Sequence, residues 1–138
     1  MRKYNYEKDK LCIIVDSLSS KKEIEEGLKR IDLIIKPSMG NKMTVIETHD
    51  KKEYNIKSID EINPLMCDGV GDLPYALRRA LELDSDITFV FTNQKKISME
   101  KKDAPRCVLW MINDETIPIA NFNDIGYIVK KSNEDVLD

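Results

Sequence analysis

The sequence lacks several features that would point to a stapled, membrane-embedded or nucleic-acid-binding protein. Its 138 residues contain three cysteines and one histidine, with no Cys-x-x-Cys spacing. This argues against a disulfide framework and against a cysteine-based metal site. No apolar run approaches the roughly 20 residues of a membrane-spanning helix. Basic and acidic residues number 22 and 25, so no basic excess predicts a nucleic-acid partner.

What remains is the composition of one ordinary globular domain, with 41% hydrophobic and 34% charged residues. That size and composition are enough to bury a hydrophobic core without staples. We expect an N-terminal extension over residues 1–10, a domain over 11–131 and a flexible tail over 132–138. Residues 1–10 are charged and lead into no signal-peptide apolar core, so we expect a cytoplasmic protein.

Local patterns predict six strands and two helices. The predicted strands cover residues 11–15, 43–48, 54–56, 87–92, 106–112 and 126–130. The second and third form a hairpin around a charged turn that holds His49. Ser20 and Glu23 have the spacing of a capping box at the start of one helix. Asp72 is the predicted N-cap of the other helix, which has Pro74 in its first turn and a predicted buried stripe of Leu73, Leu77, Ala80 and Leu81.

The predicted order β-α-β-β-α-β-β-β is typical of an α/β fold. We expect a three-layer, Rossmann-like arrangement with a mostly parallel sheet and one antiparallel hairpin. Ligands of such sheets bind at the carboxyl ends of the strands, near a switch in strand order. Polar residues follow the predicted strands and turns there, at Asp16, at the turn 69–72 and at Asn93. The predicted functional edge therefore gathers these residues.

The order of these motifs resembles a von Willebrand factor A (VWA) domain, of the bacterial VWA-like kind found at the C-terminal end of metallopeptidase-like proteins. The family's Asp-x-Ser-x-Ser motif corresponds to residues 16–20, its Gly-Gly-Thr-Asp turn to residues 69–72 and its Thr-Asp-Gly motif to Thr92-Asn93. A strand with a Leu-Trp pair is similar to Leu109-Trp110, and the closing glycine corresponds to Gly126. The resemblance covers roughly residues 11–130, and it makes the expected three-layer fold VWA-like.

The resemblance implies a degenerate metal-ion-dependent adhesion site, in which oxygen ligands would hold magnesium. The implied metal-site residues are Asp16, Ser20, Asp72 and Asn93. The sequence departs from the family motif at Leu18 and Gly71, which have no ligating side chain, and at Asn93, which lacks the family's charge. We therefore expect either no cofactor or weakly bound magnesium.

For each of these residues taken singly, ordinary local structure is the favoured explanation, and only their shared position at one end of the sheet favours a site. Asp16 is a suitable acceptor for backbone N–H groups of the turn after it, and Ser20 and Asp72 are suitable helix N-caps. Turn geometry accounts for Gly71 and Asn93. The sequence leaves both interpretations open.

Two functions follow. The first is a non-catalytic protein-interaction module, because the chain carries no His-Glu-x-x-His motif for peptidase activity of its own. The resemblance implies a metallopeptidase-like protein or an AAA+ ATPase as the partner, which we expect to be a separate polypeptide, and self-association is a further expectation. The alternative is a magnesium-dependent hydrolase or phosphotransferase that uses clustered carboxylates such as Asp16, Asp68 and Asp72. No basic residue lies in these loops to hold a phosphate, which favours the first function.

Overall fold

The structure is a computed structural model that describes residues 10–16, 26–27, 29, 43–57, 61, 71–92, 97–112 and 125–130. Ser20 and Asn93, two of the predicted site residues, lie outside these ranges. The predicted tail lies outside them as well, as does all of the predicted N-terminal extension except Lys10.

The described strands form one six-stranded mixed sheet. They are β1 (Leu11–Val15), β2 (Met43–Glu47), β3 (Lys52–Ile56), β4 (Ile87–Phe91), β5 (Val108–Ile112) and β6 (Tyr127–Lys130). Their order is β3-β2-β1-β4-β5-β6. Every neighbouring pair is parallel except β2 and β3, which form the antiparallel hairpin. The predicted α/β class, with a mostly parallel sheet and one hairpin, is confirmed.

The central strands are buried on both faces, as their continuous apolar sequences predict. All five residues of β1 and all five of β4 are buried. Because successive side chains of a strand point to opposite faces, β1 contributes to two clusters. Leu11, Ile13 and Val15 belong to one of them, and Cys12 and Ile14 belong to the other. The sheet therefore carries hydrophobic side chains on both sides.

Helix α1 (Leu73–Glu82) covers one of these faces. Asp72 is its N-cap, as predicted, since its side chain accepts the N–H of Tyr75, and Pro74 lies in the first turn. The buried stripe of α1 packs in the same cluster as Ile14, Val90 and Trp110, and it consists of Leu73, Ala76, Leu77 and Ala80. We call this side of the sheet the helix face.

The prediction of the buried stripe is wrong for one residue, Leu81, which is 43% exposed. At 3.6 residues per turn, Leu81 lies about 100° further around the helix than Ala80. That rotation carries it beyond the stripe that meets the sheet. Position in the helical period alone did not define how wide the covered stripe would be.

An ion pair fastens the C-terminal half of α1 to the edge strand β3. The Arg79 guanidinium meets the Glu53 carboxylate with two nitrogens, at 2.7 and 3.1 Å. This fork-like geometry is the favourable arrangement for an arginine–carboxylate pair. It raises the pKa of Arg79 above its ordinary value.

A short 3₁₀ helix over Lys101–Asp103 precedes β5, in a stretch where no element was predicted. Among the described residues, no helix is long and apolar enough to span a membrane.

Candidate functional site

Strand register brings three polar residues together at the carboxyl edge of the sheet. Val15 is level with Glu47 of β2 on one side and with Phe91 of β4 on the other. The next residue of each chain segment is Asp16, Thr48 and Thr92. All three extend the helix-face series of their strands, since each lies two residues beyond a residue of that face. Asp16 and Thr92 follow β1 and β4, the pair of strands at the switch in strand order, and Thr48 follows β2 on the other side of β1. Ligands of such sheets bind at this kind of switch point.

Asp16 is the centre of this group and is almost fully buried, with 1% exposure. Its Oδ1 accepts a hydrogen bond from the Thr48 hydroxyl at 2.9 Å. Its Oδ2 accepts a second hydrogen bond from the Thr92 hydroxyl at 2.6 Å. A hydrogen bond to a charged acceptor is stronger than one between neutral groups. We call Asp16, Thr48 and Thr92 the Asp16 clamp, because one carboxylate joins the ends of three strands.

Main-chain hydrogen bonds reinforce the clamp. The Asp16 N–H donates to the Phe91 carbonyl at 3.0 Å, and the Thr48 N–H donates to the Val15 carbonyl at 3.0 Å. The backbone therefore continues the parallel pairing one residue beyond the strands, and this holds the three side chains level. The carboxylate is positioned by the sheet itself.

Gly71 lies directly against the clamp. A Cβ atom built on this glycine would lie 1.8 Å from the Thr48 hydroxyl oxygen and 2.9 Å from Oδ1 of Asp16. Both separations are far below van der Waals contact, so a side chain here would displace the clamp. The Thr48 hydroxyl fills the space that a side chain at position 71 would need. This close approach is the physical reason for a glycine at position 71.

Asp72, the next residue, is held by other groups. Its N–H donates to the Thr48 carbonyl at 3.2 Å, and its Oδ1 accepts the N–H of Tyr75 at 3.0 Å. Its Oδ2 lies 3.9 Å from Nζ of Lys51, in the hairpin turn. The Lys51 ammonium also lies 4.7 Å from the centroid of the Tyr75 ring. The hairpin turn and the start of α1 are therefore joined through Asp72.

Lys51 has an unusual backbone conformation, with a φ of 58°. A non-glycine residue in this left-handed region is uncommon and occurs mostly in turns. The neighbouring Asp50 helps to hold the turn, since its Oδ1 accepts the N–H of Lys52 at 3.1 Å. His49 is exposed in the same turn, as predicted.

A second carboxylate occupies the opposite face of the sheet at the same edge. Glu47, the last residue of β2, is 7% exposed and has the same strand parity as Met43 and Val45 of the face away from α1. Burial raises the pKa of Glu47, and the nearby Asp50 carboxylate raises it further, whereas Lys52 lowers it. Among the described residues, the carboxyl edge therefore has one buried acid on each face.

The structure thus brings together Asp16 and the Gly71–Asp72 segment, two of the three predicted parts of the site. Carboxylate and hydroxyl oxygens are suitable ligands for magnesium. Among the described residues, however, no group of three or more His, Cys, Asp or Glu side chains lies close enough to hold a metal ion. The roles of Ser20 and Asn93 remain predictions.

Sequence reasoning missed Thr48 and Thr92 as partners of Asp16. Each is the last residue of a predicted strand and the first residue after the observed one, and that position was the available signal. It becomes informative only when the strand order is known, because β2 and β4 must both be neighbours of β1.

Comparison of the chain with models of protein families and with curated proteins finds no match.

Proposed function

We propose that this chain is a non-catalytic protein-interaction module, similar to a VWA-like domain, that binds a protein partner through loops at the carboxyl edge of its sheet. The observation that carries the proposal is the Asp16 clamp. The one buried carboxylate at the switch point has both oxygens engaged by threonine hydroxyls. It therefore acts as a structural tie that supports the loops above it.

The proposal includes a three-layer, VWA-like arrangement. Its support is a contact on the face away from α1. Gly27 has helical backbone and is buried, and a Cβ built on it would lie 2.0 Å from the Phe91 ring. Phe91 belongs to the cluster on the face opposite α1. A helical segment around Gly27 would supply the third layer.

Magnesium binding is proposed to be weak or absent. Magnesium requires near-octahedral oxygen ligation. Hydroxyl groups already donate to both oxygens of Asp16. Thr48 lies so close to Gly71 that position 71 has no room for a ligating side chain. The Asp72 carboxylate caps helix α1. The partner we propose is a metallopeptidase-like or AAA+ ATPase protein in the cytoplasm, with self-association as a further mode and no role for nucleic acid.

A magnesium-dependent hydrolase or phosphotransferase is the second candidate. It is favoured by the close approach of the 71–72 segment to Asp16, which brings two carboxylate-bearing segments to the same edge. In this alternative, Asp16 and Asp72 would share an ion whose charge supports phosphoryl chemistry.

A magnesium titration followed by protein NMR separates the two candidates. We expect no saturable shift of the Asp16, Gly71 or Asp72 amide signals below about 1 mM magnesium. That concentration corresponds to the weak end of the dissociation constants of cation sites in proteins. The matched control is Asp16→Asn, which removes the charge with little change of shape. Saturation below that concentration in the wild type, lost in Asp16→Asn, would contradict weak or absent magnesium binding and favour an active metal site.

Site-specific photo-crosslinking in the native host tests partner binding at this edge. A photo-reactive amino acid replaces Lys51 at the carboxyl edge or, as the control, Lys10 at the amino edge; both residues are exposed. We expect a discrete crosslinked protein from position 51 and none from position 10. Equal yields from the two positions, or no product from position 51, would contradict the proposed interaction edge.

A further inference from the structure

Among the described residues of the carboxyl edge, Glu47 is the buried acid that the Asp16 clamp does not explain. In the part of the chain that the structure describes, no hydrogen bond or ion pair holds its carboxylate, although Asp50 and Lys52 influence it electrostatically. Glu47 as a whole is 7% exposed, and its carboxylate oxygens keep some contact with solvent. Desolvation of a carboxylate is unfavourable even when it is partial. A largely desolvated carboxylate that still reaches solvent at a candidate binding edge is available to a cationic group of a partner.

The groups around Glu47 define the chemistry of this spot. Lys52 lies directly opposite Glu47 in the β2–β3 ladder, and Tyr54 lies two residues further along β3 on the same face. Both Glu47 and Asp50 raise the pKa of the Tyr54 hydroxyl, after the larger effect of burial. Two carboxylates and a half-buried aromatic ring therefore share one location, which we call the hairpin pocket (Glu47, Asp50 and Tyr54).

The only cation that the structure describes near this pocket is the chain's own Lys52. Its ammonium lies 5.6 Å from the centroid of the Tyr54 ring, and Lys52 is exposed. A cation at that distance over a tyrosine ring in contact with water contributes about 0.5–1 kcal/mol. Such a contact is weak enough for another cation to displace.

The combination suits a guanidinium group better than a metal ion. A guanidinium is planar, donates two parallel hydrogen bonds to one carboxylate and stacks on an aromatic ring. A divalent ion would need about six oxygen ligands, and the described pocket offers two carboxylates. An ammonium group would satisfy the charge but neither the bidentate geometry nor the stacking.

We propose that the hairpin pocket is a docking point for an arginine side chain of the protein partner, and that Lys52 covers this point in the unbound chain. The arginine pairs with Glu47 and stacks on Tyr54, while Lys52 moves aside into solvent. That the arginine belongs to a protein partner rests on the proposed function. The preference of the hairpin pocket for a guanidinium group is independent of the proposed function.

The test is an NMR titration with N-acetylarginine amide, with N-acetylcitrulline amide as the uncharged control of the same shape. We expect saturable shifts of the amide signals of residues 47–54 with the arginine compound only. Glu47→Gln should weaken binding about tenfold or more, the range for loss of a charge-assisted hydrogen bond. Lys52→Gln should strengthen binding several-fold, because it removes the competing cation.

The opposite signs of these two substitutions are the decisive result, because a merely structural role for Glu47 would not produce them. Glu82→Gln on α1, whose carboxylate is largely exposed and pairs with Arg79, is the matched control and should leave binding unchanged. Equal binding of citrulline, or effects of the same sign from Glu47→Gln and Lys52→Gln, would overturn the pocket. Loss of the crosslink at position 51 with an intact arginine response would instead refute only the proposed interaction module.

Discussion

The two edges of the sheet hold the ends of β1 and β4 in different ways. At the carboxyl edge, one carboxylate with 1% exposure accepts hydrogen bonds from two buried threonines. At the amino edge, Arg106 pairs with Asp84 at 2.9 Å and with Asp86 at 3.5 Å, and its side chain is 62% exposed. The Lys10 N–H also donates to Asp86 there.

The two edges of the sheet differ more in how deeply their polar groups are buried than in the number of polar contacts. Water and salt screen the exposed pairs of the amino edge, which are worth little individually. The buried side-chain contacts described at the amino edge join neutral groups: the Ser85 hydroxyl donates to the Ile87 carbonyl at 2.9 Å and lies 2.9 Å from the Thr88 hydroxyl. A charge is buried on the helix face only at the carboxyl edge of the described strands. Because a buried charged acceptor makes stronger hydrogen bonds than exposed or neutral groups, loss of a contact should lower stability more at the carboxyl edge than at the amino edge.

The largest effect should come from Asp16→Ala. The substitution leaves two buried threonine hydroxyls without their acceptor, so the free energy of unfolding should fall by about 3 kcal/mol. The matched substitution at the amino edge is Asp86→Ala, with an expected loss of about 1 kcal/mol. Urea unfolding followed by circular dichroism measures both. Equal losses would remove the contrast between the edges.

A smaller effect should distinguish two threonines of the same strand segment. Thr92→Val removes a donor to a charged acceptor and should cost about 2 kcal/mol, whereas Thr88→Val removes a neutral hydroxyl contact and should cost about 1 kcal/mol. The side chains are nearly the same shape, so packing changes little. A larger loss at Thr88 than at Thr92 would show that the charge of Asp16 adds nothing to the clamp.

The pH dependence of stability should reveal the second buried acid of the carboxyl edge. The pKa of Glu47 is raised above its ordinary value of 4.5, first by burial and then by Asp50. The folded chain therefore binds this proton more tightly than the unfolded chain does. The stabilisation is fully present below pH 4.5 and is lost as the pH rises through the raised pKa.

Urea unfolding of the wild type and of Glu47→Gln across that pH range measures this contribution. The stability of Glu47→Gln relative to the wild type should increase as the pH rises above 4.5. A difference that is independent of pH would mean that Glu47 titrates normally in the folded chain.

The smallest effect should come from Arg106→Gln at the amino edge. Its two ion pairs are in contact with solvent, so the loss should be about 0.5 kcal/mol or less. At about 1 M salt, where the screening length is about 3 Å, the difference from the wild type should disappear. A loss as large as that expected for Thr92→Val would mean that the polar contacts of the two edges contribute equally to the free energy of unfolding.

Local sequence patterns were sufficient for most of the fold. The apolar runs of β1 and β4 predicted strands covered on both faces, and the alternation around Tyr54 predicted the hairpin. Asp72 and Pro74 predicted the start of α1, because capping and the missing proline N–H act within one helical turn. The same patterns did not predict the exposure of Leu81, since the width of a buried stripe depends on what the helix packs against.

The candidate site was predictable only in part. Asp16 and the 71–72 turn were selected because carboxyl ends of parallel strands share one edge. Glu47 was not selected, because a charged residue that ends a strand gives no local sign that it is buried. Its burial became visible only once the sheet around β2 was assembled.

The sequence by itself determined which of the described segments become strands and helix α1, that the sheet is mostly parallel, and that Asp16 lies at its carboxyl edge, because these follow from short-range propensities and the period of apolar residues. Only the tertiary structure decided that Thr48 and Thr92 bind the two oxygens of Asp16, that Gly71 must lack a side chain, and that Glu47 is enclosed on the other face. Those facts depend on which strands become neighbours and in what register. Hydrogen bonds and burial act over a few ångströms in space, between residues that lie tens of positions apart along the chain.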